Sequence, residues 1–290
     1  MKYSKKLNFN SLSINIIKWL KEYAVSSGAK GFVIGVSGGV DSAVVSTLVA
    51  ETGLNVLVLS MPINQSTNEH SIAAEHIEWL QNKYSNVEFM EVNLSDAYNV
   101  LHNNYCNTCD VSFDNKNNSS VFGEKVSLDE FEFSMANTRS RLRMTTLYQY
   151  AGMHNLLVAG TGNKIEDFGI GFFTKYGDGG VDISPIGDLM KSEVYDLAEN
   201  LGIISSVLNA APTDGLHEDE RTDEEQIGAT YDELEEAMKF YEFSRNLAMY
   251  ESLVLTDRKQ KVLDIYIKRH KANLHKTNPI PVFNTYVFRS

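Results

Sequence analysis

Gly31-Phe-Val-Ile-Gly-Val-Ser-Gly-Gly-Val-Asp-Ser42 begins as an apolar, β-rich run, turns on two consecutive glycines, and leads into Ala- and Val-rich residues 42–52 that stop at Gly53. The order is strand, Gly-rich loop, helix. Working outward, Leu12, Ile16, Ile17, Leu20 and Tyr23 recur at helical spacing, which predicts a helix over 11–26 before Gly28. Downstream the alternation repeats. Leu54 to Ser60 reads as a strand, 67–83 as a helix with Ile72, Ala73, His76, Ile77 and Leu80 on one face, and Val87 to Val92 as a third strand. Met135 to Ala151 reads as a helix and Leu156 to Ala159 as a strand. Runs such as Gly31 to Val36 and Val56 to Met61 lack polar alternation, so both faces of the sheet should be covered. The expected fold is α/β: a doubly wound parallel sheet flanked by helices, Rossmann-like in layout.

Composition narrows the classes. The 290 residues are 43% hydrophobic and carry a formal charge of −12, a balance that suits a globular protein and disfavours general nucleic-acid binding. No apolar run is long enough to span a bilayer, so no membrane partner is expected. The basic start, MKYSKK, is followed by a stretch broken by Asn8, Asn10, Ser13, Asn15 and Lys18, unlike a signal peptide. Two cysteines give no disulfide framework, and a cytoplasmic location is expected. Acids crowd Asp214 to Glu236 and bases crowd Arg258 to Lys276, and solvated faces account for most of both runs. One domain over 1–290 is expected, with its core at about 28–205 and a C-terminal helical, basic segment from about 230 to 290. Residues 102–129, rich in Asn, Ser and Asp, show neither period and read as an insertion or mobile loop. Cys106 and Cys109 lie there without a partner pair for a zinc site or a strand-to-helix junction for a redox motif, so inert thiols are expected.

Ser37-Gly38-Gly39-Val40-Asp41-Ser42 sits where a strand ends and a helix begins, the place where free backbone N–H groups and the positive end of a helix dipole meet an anion. It is neither a Walker A loop, since the chain has no Gly-Lys pair, nor a G-x-G-x-x-G turn. An acid among anion donors makes sense when a cation bridges Asp41 to phosphate oxygens. Magnesium suits that role, because it takes one or two carboxylates and completes its octahedron with phosphate and water. A connection of no chemical consequence is the plain alternative.

Gly35-Val-Ser-Gly-Gly-Val-Asp-Ser42 resembles the pyrophosphate-binding signature of the N-type ATP pyrophosphatases, which cleave ATP to AMP and pyrophosphate to activate a carboxyl or carbonyl oxygen. GMP synthetase, argininosuccinate and asparagine synthetases and tRNA-thiolating enzymes share it. Asn137-Thr-Arg-Ser-Arg-Leu-Arg-Met144, Gly160-Thr-Gly-Asn-Lys-Ile-Glu166, Gly171-Phe-Phe-Thr-Lys-Tyr-Gly-Asp-Gly-Gly-Val-Asp182, Lys191, Ala211-Pro-Thr213 and His275-Lys276 follow in the order found in NAD synthetases, from about Gly35 to Phe283. That resemblance implies synthesis of NAD from deamido-NAD: ATP as co-substrate adenylates the nicotinate carboxylate, pyrophosphate leaves, and ammonia displaces AMP. By the same resemblance Gly35, Val36, Ser37, Gly38, Gly39, Val40, Asp41, Ser42, Thr161, Lys191 and Thr213 would bind ATP. Asp41 and Lys191 would be catalytic, with Asp41 and Glu166 holding Mg2+. Arg141, Lys175, Asp182, His275 and Lys276 would bind deamido-NAD. The stretch from Glu166 to Lys175 is one residue longer than in some relatives, so a count back from Phe172 falls on Asp167; Glu166 ranks first. Ser60-Met61-Pro62 also lacks the Arg that related sequences often place before this Pro.

The resemblance further implies a homodimer. About 30 residues precede the ATP loop, too few for a glutaminase domain, so free ammonia is the expected nitrogen donor unless a separate glutaminase subunit supplies it. Two other readings compete at this point: an enzyme of the same fold acting on another acceptor, and a nucleotide-binding regulatory module without turnover.

Overall fold

The computed structural model describes residues 7–64, 67–108, 120–121, 124–125, 127–210, 222–247 and 255–286. A first helix, α1 (Phe9–Ser26), is capped by Asn8, whose side chain accepts from the Ser11 amide. Strand β1 (Gly31–Gly35) follows and is almost wholly buried. Helix α2 (Val40–Glu51) buries every residue from Val40 to Ala50 except Asp41, as a helix sunk in a core does. The alternation continues through β2 (Asn55–Ser60), α3 (Thr67–Lys83), β3 (Val87–Glu91) and α4 (Ser95–Thr108). A short antiparallel pair, β4 (Ser120–Val121) and β5 (Glu124–Lys125), precedes the long α5 (Leu128–His154), and β6 (Leu157–Val158) completes the main sheet.

That sheet is parallel throughout, in the order β3-β2-β1-β6. Gly31 pairs with Asn55 and Gly35 with Leu59 on one side of β1, while Phe32 and Val33 pair with Leu157 and Val158 on the other. The chain leaves β1 toward β2 and later returns to lie on its opposite flank. Strand order therefore reverses at the β1/β6 boundary, and the crevice at the carboxyl ends of those two strands is where an open α/β sheet binds its ligand. The loops following β1 and β6, residues 36–39 and 159–163, both open there.

Past β6, Lys164–Ile170 forms a π-helix, a rare element often found at functional sites. Then come α6 (Lys191–Leu201), α7 (Ser205–Leu208), α8 (Asp223–Ile227), α9 (Tyr231–Leu247) and α10 (Asp257–Thr277). Helices α1, α2 and α6 cover one face of the sheet in a cluster around Leu20, Phe32, Leu48 and Leu197. A second cluster, built on Ile165, Ile170, Tyr231, Leu234, Leu263 and Tyr266, packs α9 and α10 against the π-helix. The terminal carbonyls of that π-helix are taken up by α10. His270 Nδ1 donates to Gly169 O at 2.7 Å, Asn273 Nδ2 to Ile170 O at 2.9 Å, and Lys276 Nζ to Gly171 O at 2.8 Å.

The expected alternation matches these elements within a few residues, but the reading of 102–129 as an irregular insertion is corrected at both ends. Residues 102–108 continue α4, because Tyr98 and Cys106 turn one face onto Phe131 and Met135. Helix α5 starts at Leu128 through a capping box, in which Ser127 accepts from the Glu130 amide and Glu130 returns a carboxylate to the Ser127 amide. Cys106 is part of this packing; Cys109 lies outside the described residues. Among the described residues no helix is long and apolar enough to cross a membrane.

Candidate active site

A cavity of about 420 Å³ opens at the reversal point. Gly35, Val36, Ser37, Gly39, Val40, Asp41 and Ser42 form one wall, Thr161, Glu166 and Lys191 another, and Ser140, Arg143 and Met144 of α5 a third. The loop between β1 and α2 is closed on itself: Ser42 Oγ donates to Gly39 O at 2.9 Å, and the Gly39 amide donates to Ser37 Oγ at 3.3 Å. Gly38 has φ +93°, a conformation that a side chain would strain. Asp41 stands in the first turn of α2, where the helix dipole favours an anion.

At the cavity floor two carboxylates share one ammonium. Lys191 Nζ donates to Asp41 Oδ2 at 2.5 Å and to Glu166 Oε1 at 2.9 Å, and the lysine is 4% exposed. Lys191 opens α6, the end of a helix where a cation is disfavoured, so the two acids are what make its position tenable. They hold its ammonium charged, raising its pKa against the opposing effect of burial. The carboxylates respond differently. Burial holds Asp41 above the usual carboxylate range, while Glu166 is held below it, because Lys191 and a hydroxyl from Tyr231 outweigh its burial.

Asn163 organises the floor. It is wholly buried, donates from Nδ2 to Asp41 Oδ1 at 3.0 Å, and accepts on Oδ1 from the amides of Ile165 and Glu166 at 3.1 Å each. As the cap of the π-helix it fixes Glu166 and Asp41 from one side chain. Asparagine three residues before a Glu at the head of an apolar run was a visible capping signal.

The two acids of the π-helix, Glu166 and Asp167, face different ways. Within it Glu166 turns to the Lys191 ammonium that Asp41 also binds, while Asp167 turns back on Gly162, where a Cβ would lie only 1.8 Å from Asp167 Oδ2. Burial, with Asp178, Glu166 and Asp41 nearby, pushes the Asp167 carboxyl well above its ordinary range. Asp178 also lines the cavity, accepting from Ser140 Oγ at 2.6 Å and the Thr174 amide at 2.9 Å.

The residues expected to touch the dinucleotide fall in a different place. Arg141 is exposed, with Nε donating to Lys175 O at 3.4 Å, and Lys175 Nζ donates to His275 O at 2.5 Å. These three form one group at the rim, outside the cavity lining. Lys276 joins rim to cavity, since it lines the latter while donating to Gly171 O and Phe173 O. Asp182 stands apart: it accepts from the Val158 amide at 2.8 Å and from Tyr148 OH at 3.0 Å, pinning the end of β6. Thr213 lies outside the described residues.

The three arginines of α5 point three ways. Arg139 is buried with its guanidinium 4.6 Å from the Tyr98 ring centre, Arg141 faces the rim, and Arg143 donates from Nε to Met61 O at 3.2 Å. Arg143 thereby places a cation beside Met61-Pro62, where the sequence itself offers none.

The model of the NAD synthase family matches residues 12–279. The chain belongs to that family. Among similar proteins, the NH3-dependent NAD+ synthetase of Mycoplasma genitalium is 37% identical over 287 residues, 95% of this chain and 99% of that one. An NMN synthetase structure from Francisella tularensis aligns with TM-score 0.76 and 28% identity, covering 96% of this chain and 100% of the other. An NH3-dependent NAD synthetase structure from Campylobacter jejuni shares the fold, with TM-score 0.70 at 23% identity over 96% of this chain and 100% of the other. The α/β architecture of NAD synthases is thus the architecture found here, with the crevice at the β1/β6 boundary.

Magnesium fits the floor. Asp41 and Glu166 already embrace a cation, the Lys191 ammonium, and two carboxylates are what Mg2+ takes from a protein when phosphates and water complete its shell. Among the described residues no group of three or more His, Cys, Asp or Glu could hold a metal unaided.

Proposed function

We propose that this NAD synthase makes NAD from deamido-NAD, ATP and ammonia, releasing AMP and pyrophosphate. The observation that carries the reading is the Asp41–Lys191–Glu166 cluster set beside the Ser37–Ser42 loop at the strand-order reversal. A carboxylate has no leaving group that an amine can displace, so its oxygen must first take the α-phosphoryl group of ATP. The bond from the α-phosphorus to the bridging oxygen breaks, and pyrophosphate departs into the loop. Ammonia then attacks the activated carbonyl carbon, AMP leaves, and the nitrogen loses a proton to become the amide.

The chain's own groups serve the first half by neutralising phosphate charge and fixing its position, the main form of catalysis available to phosphoryl chemistry. The loop amides and the hydroxyls of Ser37 and Ser42 face the pyrophosphate, and Lys191 exchanges its carboxylates for phosphate oxygens. When bound to Asp41 and Glu166, Mg2+ supplies further charge neutralisation there. Arg141, Lys175, His275 and Lys276 form the contact surface for the dinucleotide, with Asp182 at its edge. Free ammonia is the nitrogen donor of this chain, a separate glutaminase subunit being the alternative source, and the enzyme works in the cytoplasm as a two-fold dimer. Light scattering that returns a stable monomer would refute the dimer.

A second reading has a specific observation behind it: the Francisella structure is an NMN synthetase at TM-score 0.76, so the acceptor could be the mononucleotide. One experiment separates the two. The protein is incubated with ATP, Mg2+, ammonium and either deamido-NAD or nicotinate mononucleotide, and amide product and AMP are quantified. NAD with stoichiometric AMP supports the first reading, and turnover confined to the mononucleotide supports the second. ADP in place of AMP sinks both.

A further inference from the structure

Glu166 is held by a residue outside the sequence motifs quoted above. Tyr231, the first residue of α9, donates its hydroxyl to Glu166 Oε1 at 2.6 Å, on the same oxygen that Lys191 reaches at 2.9 Å. Its hydroxyl also lies 3.0 Å from Asp223 Oδ2, and its ring stands 5.0 Å from the Lys191 ammonium. The ring is buried among Ile165, Ile170, Met190 and Tyr266, and its amide donates to Glu224 Oε1 at 2.9 Å, so the hydroxyl is aimed by fixed packing at both ends. Glu166 needs such a partner. It sits on a π-helix, an element frequent at functional sites, and in the proposed reaction it loses Lys191 once that ammonium moves to phosphate.

Resting on the metal site proposed above, we infer that Tyr231 is a positioning residue for Glu166, holding Oε1 in its ligating orientation from the C-terminal helices. Outer partners of ligating carboxylates commonly govern metal affinity by about 10- to 100-fold. The test measures Mn2+ binding by electron paramagnetic resonance in the presence of α,β-methylene-ATP, with melting temperature recorded alongside. Tyr231→Phe keeps the buried ring and is expected to weaken Mn2+ about tenfold or more. In turnover assays it should raise the KM for Mg2+ more than it lowers kcat. In a Glu166→Gln background the same change should cost nothing further, because the carboxylate it serves has gone.

Unchanged Mn2+ affinity in Tyr231→Phe overturns the inference, whether or not the melting temperature falls. So does an equal loss in the Glu166→Gln background. Asp41→Ala separates this failure from failure of the site itself. If Asp41→Ala weakens Mn2+ and Tyr231→Phe does not, the tyrosine assignment alone is wrong. If neither does, the metal is not bound at this floor.

Discussion

The cavity floor and the rim beside it are built on opposite terms. At the floor, Lys191, Asp41, Glu166 and Asn163 are buried or largely so, and each bonds at least one other member of the set. At the rim, Arg141 and Lys175 donate to carbonyl oxygens of the backbone, the first at a long 3.4 Å, and the Lys175 ammonium lies 5.5 Å from the Tyr176 ring centre. The floor is shaped by the fold before any nucleotide arrives. The rim is aimed but not neutralised, so its charges stay available to a phosphate-bearing ligand. Buried pairs are costly to break from one side, whereas exposed contacts contribute little singly.

The contrast can be broken at four points. Asp41→Ala should cut kcat at least about 1000-fold with the circular dichroism spectrum preserved, since it removes a charge at the reacting phosphates and not a core side chain. Near-normal turnover would refute its place on the floor. Lys191→Met should cost about 100-fold in kcat, and it also leaves two buried carboxylates facing each other. Its melting temperature should therefore gain more from added Mg2+ than that of the wild type; an equal gain would mean the lysine and the metal do not share a seat.

Beneath the floor, His76 tests how firmly α2 is supported. Its Nε2 lies 2.9 Å from Ser46 Oγ of α2, and burial pushes its pKa down to about 4. The unfolded chain takes up the proton near pH 6.5 and the folded one only near 4, so stability present above 6.5 is lost as the pH falls between those values. The loss amounts to roughly 3 kcal/mol, and His76→Gln should flatten it in urea titrations run from pH 7 to pH 4. A slope unchanged by His76→Gln would place the titrating group elsewhere. At the rim, Arg141→Ala should raise the KM for the dinucleotide about tenfold and leave kcat within about twofold, as a uniform binding contact does. A kcat loss matching that of Lys191→Met would erase the distinction between rim and floor.

Of the floor, Asp41 and its loop were legible from local chemistry, whereas Glu166 and Lys191 came only through the family resemblance and Asn163 was missed. A Gly-Gly turn between an apolar strand and an apolar helix has few other uses, and an acid inside an anion loop calls for a cation. The parallel sheet followed from strands without polar alternation. What escaped depends on contacts made across long separations. Tyr231 reaches Glu166 from 65 residues away, and nothing near it in sequence marks its hydroxyl. The π-helix is a one-residue change in winding that no period reveals. Helix α4 past residue 102 was hidden by its Asn-rich composition, though Tyr98, His102 and Cys106 at intervals of four do form its inward face. The start of α5 was written in Ser127-Leu-Asp-Glu130 and outweighed by the polar residues before it.

The ammonium between the two acids has a consequence for the life of the protein. Because Lys191 serves as the resident counter-ion, the chain can complete its fold and wait in the cell without electrolyte help, tolerating paired negative charges that would otherwise repel. In the proposed reaction the same lysine turns to the phosphates of the triphosphate, so one side chain would serve first as counter-ion and then as ligand contact.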